Sequence, residues 1–142
     1  MEIKKILVPI DGSDASKNAV DYGVEMAKAH EAELILVSIA DVNSAAYPIM
    51  GVTLDKYGFS TIKKKAEVLV DAAKTSIPEG VSFSTRVETG IPGSAIASLV
   101  EEEKADMVIM GNSGKGSVSS FVMGSVSQYV IHHVKCPVLV VK

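Results

Sequence analysis

Residues 107–125 read MVIMGNSGKGSVSSFVMGS, and this stretch indicates how the rest of the chain is organised. It opens with four apolar residues, after which Gly111 and Gly114 are separated by two residues. After nine further residues, Gly124 and Ser125 open a pattern with helical spacing. Glycines at a strand end, followed by a new helix N-terminus, expose backbone N–H groups to an anion. The stretch therefore predicts a phosphate-binding loop between a strand and a helix, as nucleotide-binding domains have.

Apolar runs of strand length alternate with helical patterns along the whole chain. Continuous apolar runs are typical of strands buried on both faces, whereas residues 81–87 alternate with polar residues and predict a sheet edge. Strands separated by helices favour parallel pairing with right-handed crossovers. The fold class that follows is α/β, a doubly wound three-layer sandwich with a five-stranded parallel sheet. Its predicted strands are 6–10, 34–39, 81–87, 107–110 and 137–141.

In such a sheet, ligands bind at the carboxyl ends of the strands, where the strand order reverses. Asp11 and Gly111 both follow predicted strands, so we expect them to face the same crevice. The connection from Asp41 to Ser60 is unusually long, and residues 42–54 carry no charge. Long loops in compact domains are often functional. This segment is therefore interpreted as a loop folded over its own domain, a lid, or a surface for an unknown protein partner.

Composition and charge limit the classes of function. The chain has 142 residues, of which 47% are hydrophobic and 22% charged, as expected for a single domain over 1–142. A net charge of −3 without a basic stripe argues against nucleic-acid binding. The apolar runs are too short to span a membrane. Cys136 is the single cysteine, so no internal disulfide forms, and a cytoplasmic location is expected.

Several common nucleotide motifs are excluded by spacing. The P-loop motif G-x-x-x-x-G-K-[ST] fails because residues 111–117 read GNSGKGS. The dinucleotide fingerprint G-x-G-x-x-G also fails, because Ser119 stands where the last glycine is required. The turn at residues 11–16, DGSDAS, matches the pyrophosphatase loop of ATP-dependent ligases poorly.

The glycine pattern of residues 111–125 resembles the ATP-binding branch of the universal stress protein family. The resemblance extends over the whole chain. Residues 5–13, KILVPIDGS, are similar to the family's first strand and loop, and residues 90–92 to the exit of its third strand. Residues 136–141, CPVLVV, are similar to its closing strand. Four segments in the same order make the resemblance specific.

This resemblance implies the strand order 3-2-1-4-5 of adenine nucleotide α-hydrolase-like folds and a homodimer paired through residues 137–142. It also implies ATP, with Mg²⁺ or Mn²⁺, between the first and fourth strands. The cofactor-binding residues that it implies are Pro9, Ile10, Asp11, Ile39, Ala40, Met110, Gly111, Gly114, Lys115, Gly116, Ser117, Gly124, Ser125 and Val126.

The resemblance also implies a role for each group of these residues. Asp11 would lie near the ribose or an ATP-bound divalent cation, and Ile39 would offer backbone polar groups to adenine. Residues 114–117 would surround the phosphates, and residues 124–126 would bind the β- and γ-phosphates. Ser113 stands where family members often have histidine, which leaves the backbone cradle unchanged.

Simpler interpretations exist for the same residues. Ser125 and Gln128 form the Ser-x-x-Gln pattern of a capping box, which by itself explains the start of a helix. Gly111 and Gly114 fit plain turns, and Asp11 fits a turn or a helix cap. His132 and His133 suit the end of a helix, and the lysines at 63–65 suit a solvated helix face. The full glycine spacing favours the nucleotide site over these separate explanations.

Two functions remain open at this point. The first is a nucleotide-dependent signalling or stress-response module that holds ATP. The alternative is a slow ATPase or self-phosphorylating protein that uses serines near residues 113–120. Hydrolysis needs a positioned water or base and usually an additional cation. Because Asp11 and Lys115 are the only candidates, the sequence favours binding and assigns no catalytic residue.

Overall fold

The structure is a computed structural model that describes residues 1–45, 56–112 and 123–142. Its strands form one parallel sheet with the order β3-β2-β1-β4-β5, as predicted. The two outer strands are therefore β3, as its alternating sequence indicated, and β5. The strands are β1 (Lys5–Pro9), β2 (Glu33–Asp41), β3 (Phe83–Gly90), β4 (Met107–Gly111) and β5 (Val138–Val141).

Helices cover both faces of this sheet. Apolar residues of α1 and α3 pack on one face, and those of α4 and α5 pack on the other. Among the residues that the structure describes, no helix is long and apolar enough to cross a membrane. The helices are α1 (Asp14–His30), α2 (Val42–Ala45), α3 (Lys56–Lys74), α4 (Pro92–Glu103) and α5 (Ser125–His133).

The two core layers follow from the alternation of side chains along the central strands. In β1, Ile6 and Val8 belong to the layer under α1, whereas Leu7 belongs to the layer under α4 and α5. All three are 0% exposed. The prediction that continuous apolar runs are buried on both faces is confirmed, because each face needs its own set of apolar side chains.

The predicted long loop from Asp41 to Ser60 is wrong at both ends. β2 continues to Asp41, the short helix α2 follows directly, and α3 already begins at Lys56. Gly58 and Ser60 lie inside α3, although glycine and serine are weak helix formers, because the apolar face of this long helix packs on the sheet. Residues 46–55 of the predicted loop lie outside the described residues.

An ion-pair network joins the edge strand β3 to the end of α4. Arg86 Nη1 donates to Glu103 Oε1 at 2.6 Å, and Arg86 Nη2 donates to Glu88 Oε1 at 2.5 Å. Glu102 lies 3.5 Å from the same guanidinium. Hydrogen bonds to Glu88 and Glu103 raise the pKa of Arg86 above its ordinary value. Since the Arg86 side chain is 29% exposed, the network is partly shielded from water.

Replacing this arginine will therefore destabilise the protein. We expect Arg86→Gln to lower the free energy of unfolding by about 1–2 kcal/mol, because it leaves partly buried carboxylates without their cation. Urea denaturation measures the change. The matched control is Lys17→Gln, whose ion pair with Asp14 spans 3.8 Å between largely exposed side chains and should not affect stability measurably. Equal effects of the two substitutions would contradict this interpretation.

Candidate functional site

A cleft of about 250 Å³ opens at the carboxyl ends of the central strands. It lies where the strand order reverses, because the chain leaves β1 toward β2 on one side and leaves β4 toward β5 on the other. The two connecting helices, α1 and α5, pack on opposite faces of the sheet. A crevice between diverging connections is where open α/β sheets bind ligands.

Most of the predicted site residues that the structure describes meet in this cleft. Asp11 and Gly111 line it together, which confirms the expectation that they share a crevice. Gly124 immediately precedes α5 but does not line the cleft. Residues 113–117, which include four predicted phosphate contacts, lie outside the described residues. The predicted residues in the cleft wall are Pro9, Ile10, Asp11, Ile39, Ala40, Met110, Gly111, Ser125 and Val126.

The Asp11 carboxylate forms the turn between β1 and α1. Its Oδ1 accepts hydrogen bonds from Ser13 N at 2.8 Å and from Ser13 Oγ at 2.5 Å. Gly12 has a φ of 86°, a backbone conformation that glycine adopts without strain. Ser13 in turn caps α1, because its Oγ accepts from Ser16 N at 3.1 Å. Asp11 thus has a role in the turn and also presents negative charge to the cleft.

A resident metal ion finds little support in the described part of the chain. No group of three or more His, Cys, Asp or Glu side chains there is arranged to hold one. Divalent cations such as Mg²⁺ are often held by one or two carboxylates together with the phosphates of a substrate. Asp11 fits that limited role, since it lines the cleft and is exposed.

Gly111 is required by close packing. A Cβ atom on this residue would lie 2.8 Å from both Ala15 C and Ser16 N, in the first turn of α1. Only glycine lets the end of β4 approach the α1 backbone so closely. The contact is secured from the other side, where Ser127 Oγ of α5 donates to Gly111 O at 3.0 Å. The end of β4 is thus held between α1 and α5.

The two ends of the glycine-rich segment are also joined. Asn112 N donates to Val141 O at 2.6 Å, and Gly124 N donates to Asn112 O at 3.1 Å. Residues 112 and 124 are therefore held next to each other, at either end of the predicted phosphate loop. This hydrogen bonding was not predictable from the glycine spacing, since it involves the end of β5.

The start of α5 differs from the predicted capping box. Gly124, not Ser125, is the N-cap, and its position has no side-chain capping bond. Gln128 Nε2 instead donates to Met123 O at 3.0 Å. The capping interpretation is wrong because the helix begins one residue earlier than that pattern requires. The first-turn N–H groups of residues 125–127 are therefore left without intrahelical acceptors, and Ser125 and Val126 line the cleft.

Sequence reasoning missed the side of the cleft that β2, α2, α3 and α4 provide. The lysines at 63–65 are exposed, as the solvated-face interpretation predicts, and Lys65 also lines the cleft. The sequence contains a signal for this position. Lys65 is three residues from Ile62 and four from Leu69, so it lies on the same side of the helix as these apolar residues. The missed residues on this side are Val37, Ser38, Asp41, Ser44, Ile62, Lys65, Ala66, Leu69, Pro92 and Ile96. Ser16 of α1 and Ser127 of α5 line the cleft as well and were not predicted.

Comparisons with known proteins agree with this fold. The sequence model of the universal stress protein family matches residues 2–142. The universal stress protein MJ0531 of Methanocaldococcus jannaschii is 33% identical over 98% of this chain and 82% of its own length. The solved structure of hypothetical protein MJ0577 has a TM-score of 0.85 at 26% identity, covering 100% of this chain and 97% of its own. The solved structure of a universal stress protein in complex with cAMP has a TM-score of 0.64 at 29% identity, covering 99% of this chain and 98% of its own.

The packing at Gly111 leads to a test of stability with a matched control. We expect Gly111→Ala to lower the free energy of unfolding by about 1–3 kcal/mol, because the added methyl group meets backbone atoms that cannot move aside. Gly90 is the last residue of β3, as Gly111 is of β4, but a Cβ there would only contact Ala95 Cβ at 3.7 Å. Gly90→Ala should therefore be nearly neutral in urea denaturation. If Gly111→Ala leaves the free energy of unfolding unchanged, the close packing of residue 111 against the α1 backbone does not require glycine.

Proposed function

The chain belongs to the universal stress protein family, and we propose that it is an ATP-binding module that acts in nucleotide-dependent signalling during a stress response. The observation that carries the proposal is the uncapped N-terminus of α5 at a cleft where the strand order reverses. A helix N-terminus with free N–H groups, placed beside a switch point, is suited to a phosphate group.

The cleft divides into two chemically different parts. Near the exit of β4, Ser125 and Val126 begin α5 and are suited to the β- and γ-phosphates. Toward β1 and β2 the wall is mainly apolar, with Ile10 and Ile39 suited to a flat nucleoside. A phosphorylated nucleoside matches this division. The complex of a 29% identical universal stress protein with cAMP supports the adenine nucleotide class.

A divalent cation would reach this site with the nucleotide. The proposed ligands are phosphate oxygens of ATP and the Asp11 carboxylate, with either Mg²⁺ or Mn²⁺. The cation would offset the negative charges of the phosphates next to Asp11. Lys65, the cation of α3 that lines the same cleft, would contribute to this neutralisation.

We favour binding over hydrolysis. Asp11 Oδ1 already accepts two hydrogen bonds from Ser13, so this oxygen is not available to activate a water, and Oδ2 is left for the cation. A slow ATPase or self-phosphorylating protein is the alternative. Nucleotide released from freshly purified protein by denaturation distinguishes the two: intact ATP supports binding, whereas ADP with continued phosphate release supports turnover.

We also propose that two copies pair through the last strand. β5 is hydrogen-bonded to β4 on one side and forms the outer edge of the sheet on the other. Asn112 N and Val108 N donate to Val141 O and Pro137 O, so these alternate carbonyls point toward β4. The polar backbone groups of Val140 therefore point outward. Apolar open edges are usually covered, and a second copy closes this one symmetrically.

We further propose that an unknown protein partner binds at residues 41–60. The described parts of this segment are Asp41 with α2 and the first turns of α3. Phe59 is 42% exposed there, and exposed aromatic residues are common in interfaces. A partner bound at this segment would lie next to the cleft, which Asp41 and Ser44 line.

Placing a negative charge at the start of α5 will test the phosphate site. We expect Ser125→Asp to weaken ATP binding by about tenfold or more, because a carboxylate would repel the β- and γ-phosphates. The helix itself should remain stable, since acidic residues suit its first turn. Isothermal titration calorimetry with ATP and Mg²⁺ measures the affinity. The control is Ser125→Asn, because asparagine has nearly the size of aspartate but no charge. This variant should bind ATP nearly as well as wild type. Unchanged ATP affinity in Ser125→Asp would refute the assignment.

A substitution at the open edge will test the dimer. We expect wild type to have twice the chain mass of 14.9 kDa in light scattering after size exclusion, and Val140→Pro to have the single mass. Proline removes an N–H that points outward, so the bonds between β4 and β5 are kept and the monomer stays folded. Val140→Thr keeps the N–H group and should remain dimeric. A wild-type monomer at micromolar concentration would disprove the pairing.

A further inference from the structure

Three polar residues in the described part of the chain are buried, and they differ in how their hydroxyl groups are used. Ser16 Oγ donates to Ser13 O at 3.0 Å, and Ser127 Oγ donates to Gly111 O at 3.0 Å. Ser38 is 1% exposed, and its hydroxyl has no hydrogen-bond partner among the residues described. Ser38 also lines the cleft. Its small remaining exposure therefore opens toward the cleft.

Every fully buried side-chain nitrogen or oxygen of the described chain has a hydrogen-bond partner, so the unpaired Ser38 hydroxyl reaches the open cleft. Removing a hydroxyl from water without a new hydrogen bond costs free energy, and buried polar groups in native proteins are nearly always paired. A hydroxyl that faces a cleft instead is suited to a polar group of a bound molecule.

The place of Ser38 in the sheet indicates which part of a ligand it would meet. Ser38 is in β2, which is two strands away from β4 in the sheet order. Because neighbouring strands are about 4.8 Å apart, the exit of β4 and the start of α5 lie roughly 10 Å to the side. On the side of β2 that Ser38 shares with Leu36, the neighbouring cleft residues Ala40 of β2 and Leu69 of α3 are apolar. Ser38 thus belongs to the half of the cleft suited to the nucleoside.

We propose that Ser38 is a specificity-determining residue whose hydroxyl hydrogen-bonds to the base of the bound nucleotide. This inference rests on the proposed nucleotide function and adds a side-chain contact to its nucleoside half. The hydroxyl both donates and accepts, so it pairs with a ring nitrogen or an exocyclic amino group of the base. It makes no contact with the phosphates.

The test compares ligands that share the nucleoside and differ in phosphate. Affinities of ATP, AMP and adenosine are measured by calorimetry for wild type and Ser38→Ala. We expect Ser38→Ala to weaken all three by the same factor, about three- to tenfold, because one hydrogen bond to the nucleoside is lost. The control is Ser84→Ala, an exposed strand serine of β3 that does not line the cleft, which should bind all three as wild type does.

Thermal unfolding of the unliganded protein distinguishes ligand contact from a structural role. We expect Ser38→Ala to melt no lower than wild type, since no bond within the described protein is lost. A lower melting temperature together with weaker binding would overturn the inference in favour of a structural role.

The remaining outcomes separate this inference from the proposed function. If wild type binds ATP and Ser38→Ala binds it equally well, the Ser38 contact is wrong and the proposed function stands. If only ATP binding is weakened, Ser38 acts at the phosphate end and the inference is also wrong. If wild type binds none of the three ligands, the proposed function fails, and the Ser38 inference fails with it.

Discussion

The close approach of Gly111 to the first turn of α1 is the constraint on which the cleft depends. It brings the end of β4 against the backbone that follows the Asp11 turn, with no room for a side chain. Ser127 holds the same residue from α5. Two helices from opposite faces of the sheet thus meet one strand end. The cleft opens beside this junction, and Gly111, Ser16 and Ser127 belong to its wall.

The last strand supports this junction as well as closing the sheet. Val141 O accepts from Asn112 N, and Asn112 O accepts from Gly124 N, so β5, the strand exit and α5 are connected through one residue. At the C-terminus, Asn18 Nδ2 of α1 donates to Lys142 O at 3.0 Å. The same strand leaves its outer side open. The open edge and the start of α5 are therefore connected through the same strand, which uses different backbone groups on its two sides.

The charges around the cleft suit the binding of a nucleotide better than its hydrolysis. Asp11 and Asp41 supply negative charge, Lys65 supplies positive charge, and the start of α5 supplies free N–H groups. Such a set holds an anion with a cation beside it. The hydroxyl that pairs with the Asp11 carboxylate, Ser13 Oγ, is used in the turn that caps α1 and does not line the cleft. Arg86, the most strongly paired cation of the described chain, is engaged with three carboxylates at the edge of the sheet.

The sequence by itself determined the parallel α/β fold, the exposed edge at β3 and the meeting of Asp11 with Gly111, because apolar periodicity and strand exits are local properties. The order of the strands followed from resemblance to a family. Tertiary structure alone decided that α5 begins after Gly124, that Lys65 lines the cleft, and that Ser38 has no partner in the described chain. These features depend on contacts between distant residues. A sequence pattern indicates that a side chain is buried, but its partner is set by the packing of the whole chain.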